Sequence, residues 1–308
     1  MRASYASFGR VGKNLGYKIG YPRKLERTQE AIQANAVITA GICDVAIGDF
    51  HDEKLHNSIH DLDSADLGRV RESLKHFVRD WSQDGKIERD KILEPILAVI
   101  RPIHESQRAS TKVLVPGCGL GRLAWEVAQL GFDTTANELS FFMTLAFRFL
   151  LSVESTPTPN AHKAHPYAHW FSHQRSNESL FRSISFPDTV PRLGPNFKLI
   201  EGDFLKLSPP DEGYDYLITL FFIDTSLDFF ATLAQIHQLL KPGGKWINLG
   251  PLLWTGGGQA KVELSLDEVM AAVQERRTVE CEYTGDREAM MKWIYKAEFW
   301  VAERPVIR

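Results

Sequence analysis

Apolar residues follow two spacings along this chain, and the change from one to the other divides the sequence. From Asp66, "DLGRVRESLKHFVRDWSQDGKIERDKILEPILAVIRPI" sets Val70, Leu74, Phe77, Val78 and Trp81 at helical intervals, with Ile92, Ile96 and Ile100 on a second apolar face. These predict two helices packed on a later sheet. Beyond them, short apolar runs alternate with helical stretches. "TKVLVPG" reads as a buried strand, "RLAWEVAQLG" as a helix stopped by Gly131, and "FDTTANE" as a second strand. "NFKLIEGDF" and "YDYLITLFFIDT" read as two more strands, "SLDFFATLAQIHQLLKPGG" as a helix with a glycine stop, and "KWINLGPLL" as a further strand. The alternation predicts an α/β fold with a mostly parallel central sheet and helices on both faces. Ligands then bind at the carboxyl ends of the strands, near the switch in strand order.

Two segments stand outside that rhythm. Residues 1–68 read as a tail followed by helical material, an extension to a main domain over 69–308. After Glu138, "LSFFMTLAFRFLLS" reads as an apolar helix and leads into "ESTPTPNAHKAHPYAHWFSHQRSN". Long connections of this kind in compact domains are commonly covers or binding loops. Residues 153–196, inserted between the second and third strands, are therefore expected to form a lid over the substrate pocket, with His165, Tyr167 and Trp170 as lid residues.

Composition narrows the partners. A formal net charge of -3 gives no general attraction to nucleic acid or anionic lipid, so a small molecule is the expected partner, with a homodimer left open. Cys43, Cys118 and Cys281 are far apart, odd in number and without CxxC spacing, which argues against a disulfide framework or a thiolate zinc site. A reducing, cytoplasmic compartment is expected. No apolar run approaches the length that crosses a bilayer, and no signal-type segment opens the chain, so no membrane is expected. The first 25 residues carry several Arg and Lys and no acid. They read as a solvated basic tail, with a mitochondrial transit segment as the alternative.

Chemistry concentrates after the first strand. Gly117, Gly119 and Gly121 permit a sharp turn, remove side chains that would obstruct a ligand and expose the amides of the next helix. Some twenty residues on, at the end of the second strand, Glu138 can accept hydrogen bonds from ribose hydroxyls. The pattern is GxGxG, not the GxGxxG that seats a pyrophosphate. Asp203, after the third strand, adds a second acid near the expected adenine position. Two acids without a dedicated basic partner suit a cationic sulfonium, hence S-adenosylmethionine, better than a dinucleotide. The alternatives are a helix cap for Asp203 and a solvated strand end for Glu138.

Seven blocks, "FVRDWSQDGKIERD", "VLVPGCGLGRLAWEVAQLGF", "NELSFFM", "HPYAHWFS", "FFIDT", "LKPGGKWINLGPLL" and "MMKWIY", occur in the order and spacing of the carnosine N-methyltransferase family, which the chain resembles from about Val70 onward. The resemblance implies a Rossmann-like class I methyltransferase fold and methyl transfer from S-adenosylmethionine to an imidazole nitrogen of a histidine-containing dipeptide. It implies that Gly117, Glu138, Asp203 and Phe204 hold the donor, with Gly119 and Leu220 beside them. Arg79 matches an arginine for the donor's carboxylate, which a guanidinium fork suits. One helical turn earlier the family has glutamine where this chain has His76.

On the acceptor side the resemblance places Asp224 at the family's imidazole-binding aspartate, as the residue that fixes the ring's tautomer and stabilises its developing charge. The alternative is a cap, since Asp224, Thr225 and Ser226 precede a helix predicted near Leu227. Tyr283 and Tyr295 match two substrate-contacting tyrosines; by pattern alone they belong to a terminal strand pair. After "GPLL" the family has an aromatic residue and then a substrate-holding histidine, whereas this chain has Trp254 and then Thr255. That departure leaves open a different small acceptor, or a binding protein without turnover. His162, His165, His169 and His173 have suggestive spacing, but Pro159 and Pro166 break the register and no cysteine joins them, so no metal is expected. "SLDE" at 265–268 reads as a helix capping box.

Overall fold

A computed structural model describes residues 1–49, 64–254, 259–271 and 275–306. The apolar runs read above form one sheet. Its first strand, β1 (Lys112–Pro116), pairs in parallel with β2 (Asp133–Glu138) on one side. A two-stranded antiparallel ribbon, β3 (His162–Ala164) and β4 (Ile184–Phe186), lies apart. β5 (Phe197–Glu201) continues the sheet beyond β2, while β6 (Tyr214–Leu220) and β7 (Leu240–Gly250) extend it from the other side of β1. β8 (Glu275–Cys281) and β9 (Tyr295–Glu303) close it as a hairpin. The order is β5-β2-β1-β6-β7-β9-β8, in which β9 alone runs antiparallel to the others. This is the Rossmann-like class I methyltransferase arrangement, and its switch point lies between β1 and β6.

Alternate side chains of each strand serve opposite faces, which is why the strands read as continuous apolar runs. Val113 and Val115 join Ile92, Ile96, Ile100, Val127 and Ile247 in one core. Leu114 and Leu217 point the other way, into a core with Ile236, Leu239, Trp246 and Trp300.

The helices fall into four groups. α1 (Arg2–Ala6), α2 (Arg10–Lys18) and α3 (Tyr21–Asp49) make the N-terminal extension. α4 (Ser64–Trp81), α5 (Lys86–Ile100), the short α6 (Glu105–Arg108), α7 (Arg122–Gln129), α8 (Phe141–Leu151) and α10 (Phe229–Leu239) flank the sheet, with α9 (Asn177–Phe181) in the insertion and α11 (Leu266–Met270) after β7. Phe77 and Trp81 of α4, Phe147 and Leu150 of α8 and Ile38 of α3 form a third core.

Four sequence expectations are corrected. The N-terminal 25 residues are helical, not a tail, although Val11, Leu15 and Ile19 remain exposed. α3, over Tyr21–Gly48, is long and apolar enough to cross a bilayer, so such a run does exist. The glycines of "LKPGG" do not stop α10; they lie inside β7, where the pairing register with β6 shifts and Gly243 has φ 77°. β6 ends at Leu220, short of the predicted "FFID", because Phe221 turns to φ 51° and gives its amide to the Leu249 carbonyl.

Candidate active site

A cavity of about 930 Å³ opens at the carboxyl ends of β1, β2 and β6, beside the switch point. Its floor is the glycine turn. Gly117, Gly119 and Gly121 have φ 60°, 56° and 76°, a region that side chains with a Cβ rarely adopt. A Cβ on Gly121 would meet the Phe147 ring at 2.4 Å, whereas one on Gly119 would meet nothing within 4 Å. Gly121 is thus fixed by packing, and Gly119 keeps a side open.

Glu138, at the end of β2, braces this turn. Its carboxylate accepts from the Gly119 amide at 2.8 Å and from the amides of Leu139 and Ser140 at 3.0 and 2.9 Å. A carboxylate offers about four lone-pair directions, so accepting capacity remains on a residue that lines the cavity. Glu138 is therefore no solvated strand end. Asp203 does cap a 3-10 turn over Phe204–Lys206, accepting from the Leu205 amide at 3.0 Å, and it lines the cavity as well. Phe204 and Leu220 supply apolar wall.

The opposite wall comes from the end of α4, where His76, Arg79 and Asp80 are buried and all face the cavity. Arg79 Nε and Nη2 donate to the two oxygens of Asp80 at 2.6 and 3.1 Å. Burial alone would lift the Asp80 carboxyl, but the guanidinium overrides it and holds the group well below the usual carboxylate range. Arg79 Nη1 and His76 Nδ1 are buried with no hydrogen-bond partner. Burial, followed by the nearby Arg79 charge, lowers the His76 pKa and keeps the ring neutral. Its Nε2 lies 3.2 Å from the Tyr283 hydroxyl, and the Arg79 guanidinium sits over the Tyr283 ring at 5.1 Å.

Asp224 lies in a 3-10 turn at Ile223–Thr225, four residues beyond β6 rather than at its end. It is buried, and one carboxylate oxygen accepts from the Leu253 amide at 3.0 Å. Its neighbours Thr225 and Ser226 line the cavity, and Asp224 itself does not. It does not cap α10 either, since that role falls to Asp228, which accepts from the Ala231 amide. Burial, partly offset by the Leu253 amide, pushes the Asp224 pKa up to about 6.

The remaining acceptor residues separate. Tyr283 lines the cavity; Tyr295, at the start of β9, packs against the β-sheet core and does not. Trp254 also lies off the cavity, edge-on to Phe229 and donating to the Leu264 carbonyl at 2.8 Å. Thr255 lies outside the described residues.

The insertion is no lid over this cavity, because none of its described residues lines it. It packs instead on α3 and α4 and grips the segment 282–294 that connects β8 to β9. Arg182 donates to Asp286 at 2.6 Å, Gln174 donates to Asp286 at 2.9 Å, and the Met290 amide donates to the His173 carbonyl at 2.7 Å. From α5, buried Glu88 accepts from the amides of Thr284 and Gly285. His165 caps a carbonyl of Phe181, Tyr167 stacks under Arg182, and Trp170 is exposed. Among the described residues no three metal-ligating side chains converge.

Sequence reasoning missed Asp80, Glu88 and the grip on 282–294. Asp80 left a signal: an acid flanked by the buried Val78 and Trp81 of an apolar helix face needs a partner.

A family model described as carnosine N-methyltransferase matches residues 56–306. The carnosine N-methyltransferase of Mus musculus is 35% identical over 306 residues, spanning 92% of this chain and 76% of its own length. That of Schizosaccharomyces pombe is 32% identical over 308 residues, spanning 91% and 82%. Among solved structures, magnesium protoporphyrin IX methyltransferase from Synechocystis PCC 6803 aligns with a TM-score of 0.43 at 12% identity, over 78% of this chain and 94% of that one.

Proposed function

Because the chain belongs to the carnosine N-methyltransferase family, and is thereby an S-adenosylmethionine-dependent N-methyltransferase, we propose that it methylates an imidazole nitrogen of carnosine or a related histidine-containing small molecule. The observation that carries the donor half is Arg79, a cavity-lining residue whose buried Nη1 has no hydrogen-bond partner. A buried, unpaired guanidinium donor is costly unless a ligand completes it, and an α-carboxylate is the group it fits. The open side of Gly119 admits a ligand close to the backbone, Glu138 retains capacity for ribose hydroxyls, and Phe204 and Leu220 suit an apolar ring face. The residues present therefore fit S-adenosylmethionine. When bound, it supplies a methyl group on a sulfonium whose leaving group is already activated.

What the chain must add is alignment and exclusion of water, which together can contribute roughly 7–11 kcal/mol. The attacking imidazole nitrogen must be unprotonated while the other ring nitrogen keeps its proton. As the new N–C bond forms, the ring becomes cationic and then releases that proton. We assign this proton to Asp224, which sits behind the cavity-lining Thr225 and Ser226, so that the bound ring must reach past that wall to it; its carboxyl, held near pKa 6, can take up a proton at the pH where imidazole itself titrates. Tyr283 would set the acceptor against the donor's carboxylate end. Tyr295 and Trp254 would support that wall from behind, since neither lines the cavity.

Thr255 at the family's histidine position favours a second reading, in which fold and donor are kept and the acceptor is another small imidazole or amine. Three free cysteines support a reducing, cytoplasmic setting. The test is initial rates with S-adenosylmethionine and, separately, carnosine, free histidine and simple imidazoles. Methylcarnosine formation at saturating donor is expected. Turnover confined to another acceptor would favour the second reading, and donor binding with no methylation of any acceptor would overturn both.

A further inference from the structure

His76 stands where the resemblance implies a glutamine, and its ring lies between Asp80 and Tyr283. Nε2 is 3.2 Å from the hydroxyl of Tyr283, with the two rings edge-on at 5.6 Å. Nδ1 is buried without a hydrogen bond, and its nearest carboxylate oxygen, on Asp80, is 3.5 Å away. The other buried donor in the same wall without a partner is Arg79 Nη1. Both atoms belong to side chains that line the cavity, and a ligand's carboxylate has an oxygen to offer each of them.

Building on the donor reading above, we propose that His76 is a positioning residue that couples the donor's carboxylate site to Tyr283. A neutral imidazole has one N–H and one lone pair. A carboxylate that accepts from Nδ1–H fixes the proton there and leaves Nε2 as an acceptor, so the Tyr283 hydroxyl donates to it. Asp80 biases the ring to the same tautomer before the donor arrives. The phenol is then held in one rotamer, its ring edge-on to Phe221 at 5.0 Å and under the Arg79 guanidinium. Donor binding thus sets the acceptor wall, and by linkage the acceptor wall sets donor affinity. A glutamine at position 76 has the same pairing in one amide, an N–H₂ for the carboxylate and a carbonyl for the phenol. Position 76 accordingly demands a side chain that donates at one end and accepts at the other.

The linkage can be read without any acceptor. Affinity for S-adenosylhomocysteine, which keeps the donor's carboxylate, is measured by calorimetry on the full chain, on His76→Leu, Tyr283→Phe and the double variant, and on His76→Gln. Tyr283→Phe removes one oxygen from a ring that stays packed on Phe221, so folding is not at stake in that variant. It is expected to weaken the nucleoside about fivefold, because the buried His76 Nε2 loses its partner, and His76→Leu about tenfold, because the bonds of both ring nitrogens are lost. The double variant should be little worse than His76→Leu alone, and His76→Gln should bind within about twofold of the natural chain. Independent effects that multiply in the double variant, or a Tyr283→Phe chain that binds as well as the natural one, would overturn the coupling while leaving the donor reading intact. A natural chain that fails to bind the nucleoside would overturn the donor reading itself, and the coupling with it.

Discussion

Asp224 carries a carboxyl that burial holds near pKa 6, whereas an unfolded aspartate titrates near 3.9. Between those values the native state keeps a proton that the unfolded chain has released. The stability linked to this group is therefore fully present below about pH 4 and is lost as pH rises through about 6. Asp224→Asn keeps an oxygen for the Leu253 amide and removes the buried charge. It is expected to raise unfolding stability by about 1–2 kcal/mol at pH 8 and by much less at pH 4, measured by urea unfolding. The same substitution removes the proposed proton acceptor, so methyl transfer should fall about a hundredfold or more in initial-rate assays. Equal stability changes at the two pH values would show that desolvation is not what perturbs this residue. A buried carboxylate that costs stability at neutral pH is thus the one assigned to the chemistry, a trade seen where function needs an uncomfortable group.

At the scale of elements, the site has one wall built by the sheet and one built by α4, against which a strap sets Tyr283. The strap, 282–294, is pinned by Arg182 through Asp286 and by Glu88 through two backbone amides. Arg182→Met keeps the aliphatic stem over Tyr167 and removes the ion pair. The expected result is a rise of about tenfold in the acceptor's KM with a smaller loss of nucleoside affinity, from steady-state kinetics and calorimetry on the same variant. Sequence reading recovered the sheet wall because its signals are local: an apolar run, a glycine turn, an acid one strand later. The same local logic misread "LKPGG", where the glycines sit in a shifted register between β6 and β7 that only the paired strand reveals. It also extended β6 through Phe221, whose positive φ is imposed by its bond to Leu249. The strap was out of reach altogether, since Arg182 and Asp286 or Glu88 and Thr284 are far apart in the chain and nothing in their local pattern announces the meeting. His76 and Tyr283 were each found through family resemblance, but their contact was not.

For the molecule as a whole, the boundary drawn near residue 68 falls inside a helix, because α4 begins at Ser64. α3 seats Ile38 in the core that α4 and α8 share, and Asn35 exchanges hydrogen bonds with the His165 backbone in the insertion. Extension, insertion and sheet should therefore unfold together. Ile38→Asp buries a charge at a position 4% exposed, and is expected to lower the Tm of the entire chain by about 5–10 °C in a single calorimetric transition. A separate low-temperature transition, with the sheet domain melting at its natural Tm, would mark the extension as an independent unit.

The strap has a longer reach than its size implies. Arg79, Glu138 and the glycine turn rest on α4 and the sheet, so a change there disturbs the molecule's main architecture; residues 282–294 hang between two strands and are fastened by a few polar clasps. Variation in that one span would retune what is methylated and, through Tyr283 and His76, how firmly the methyl source is held, while the sheet and the glycine turn stay as they are.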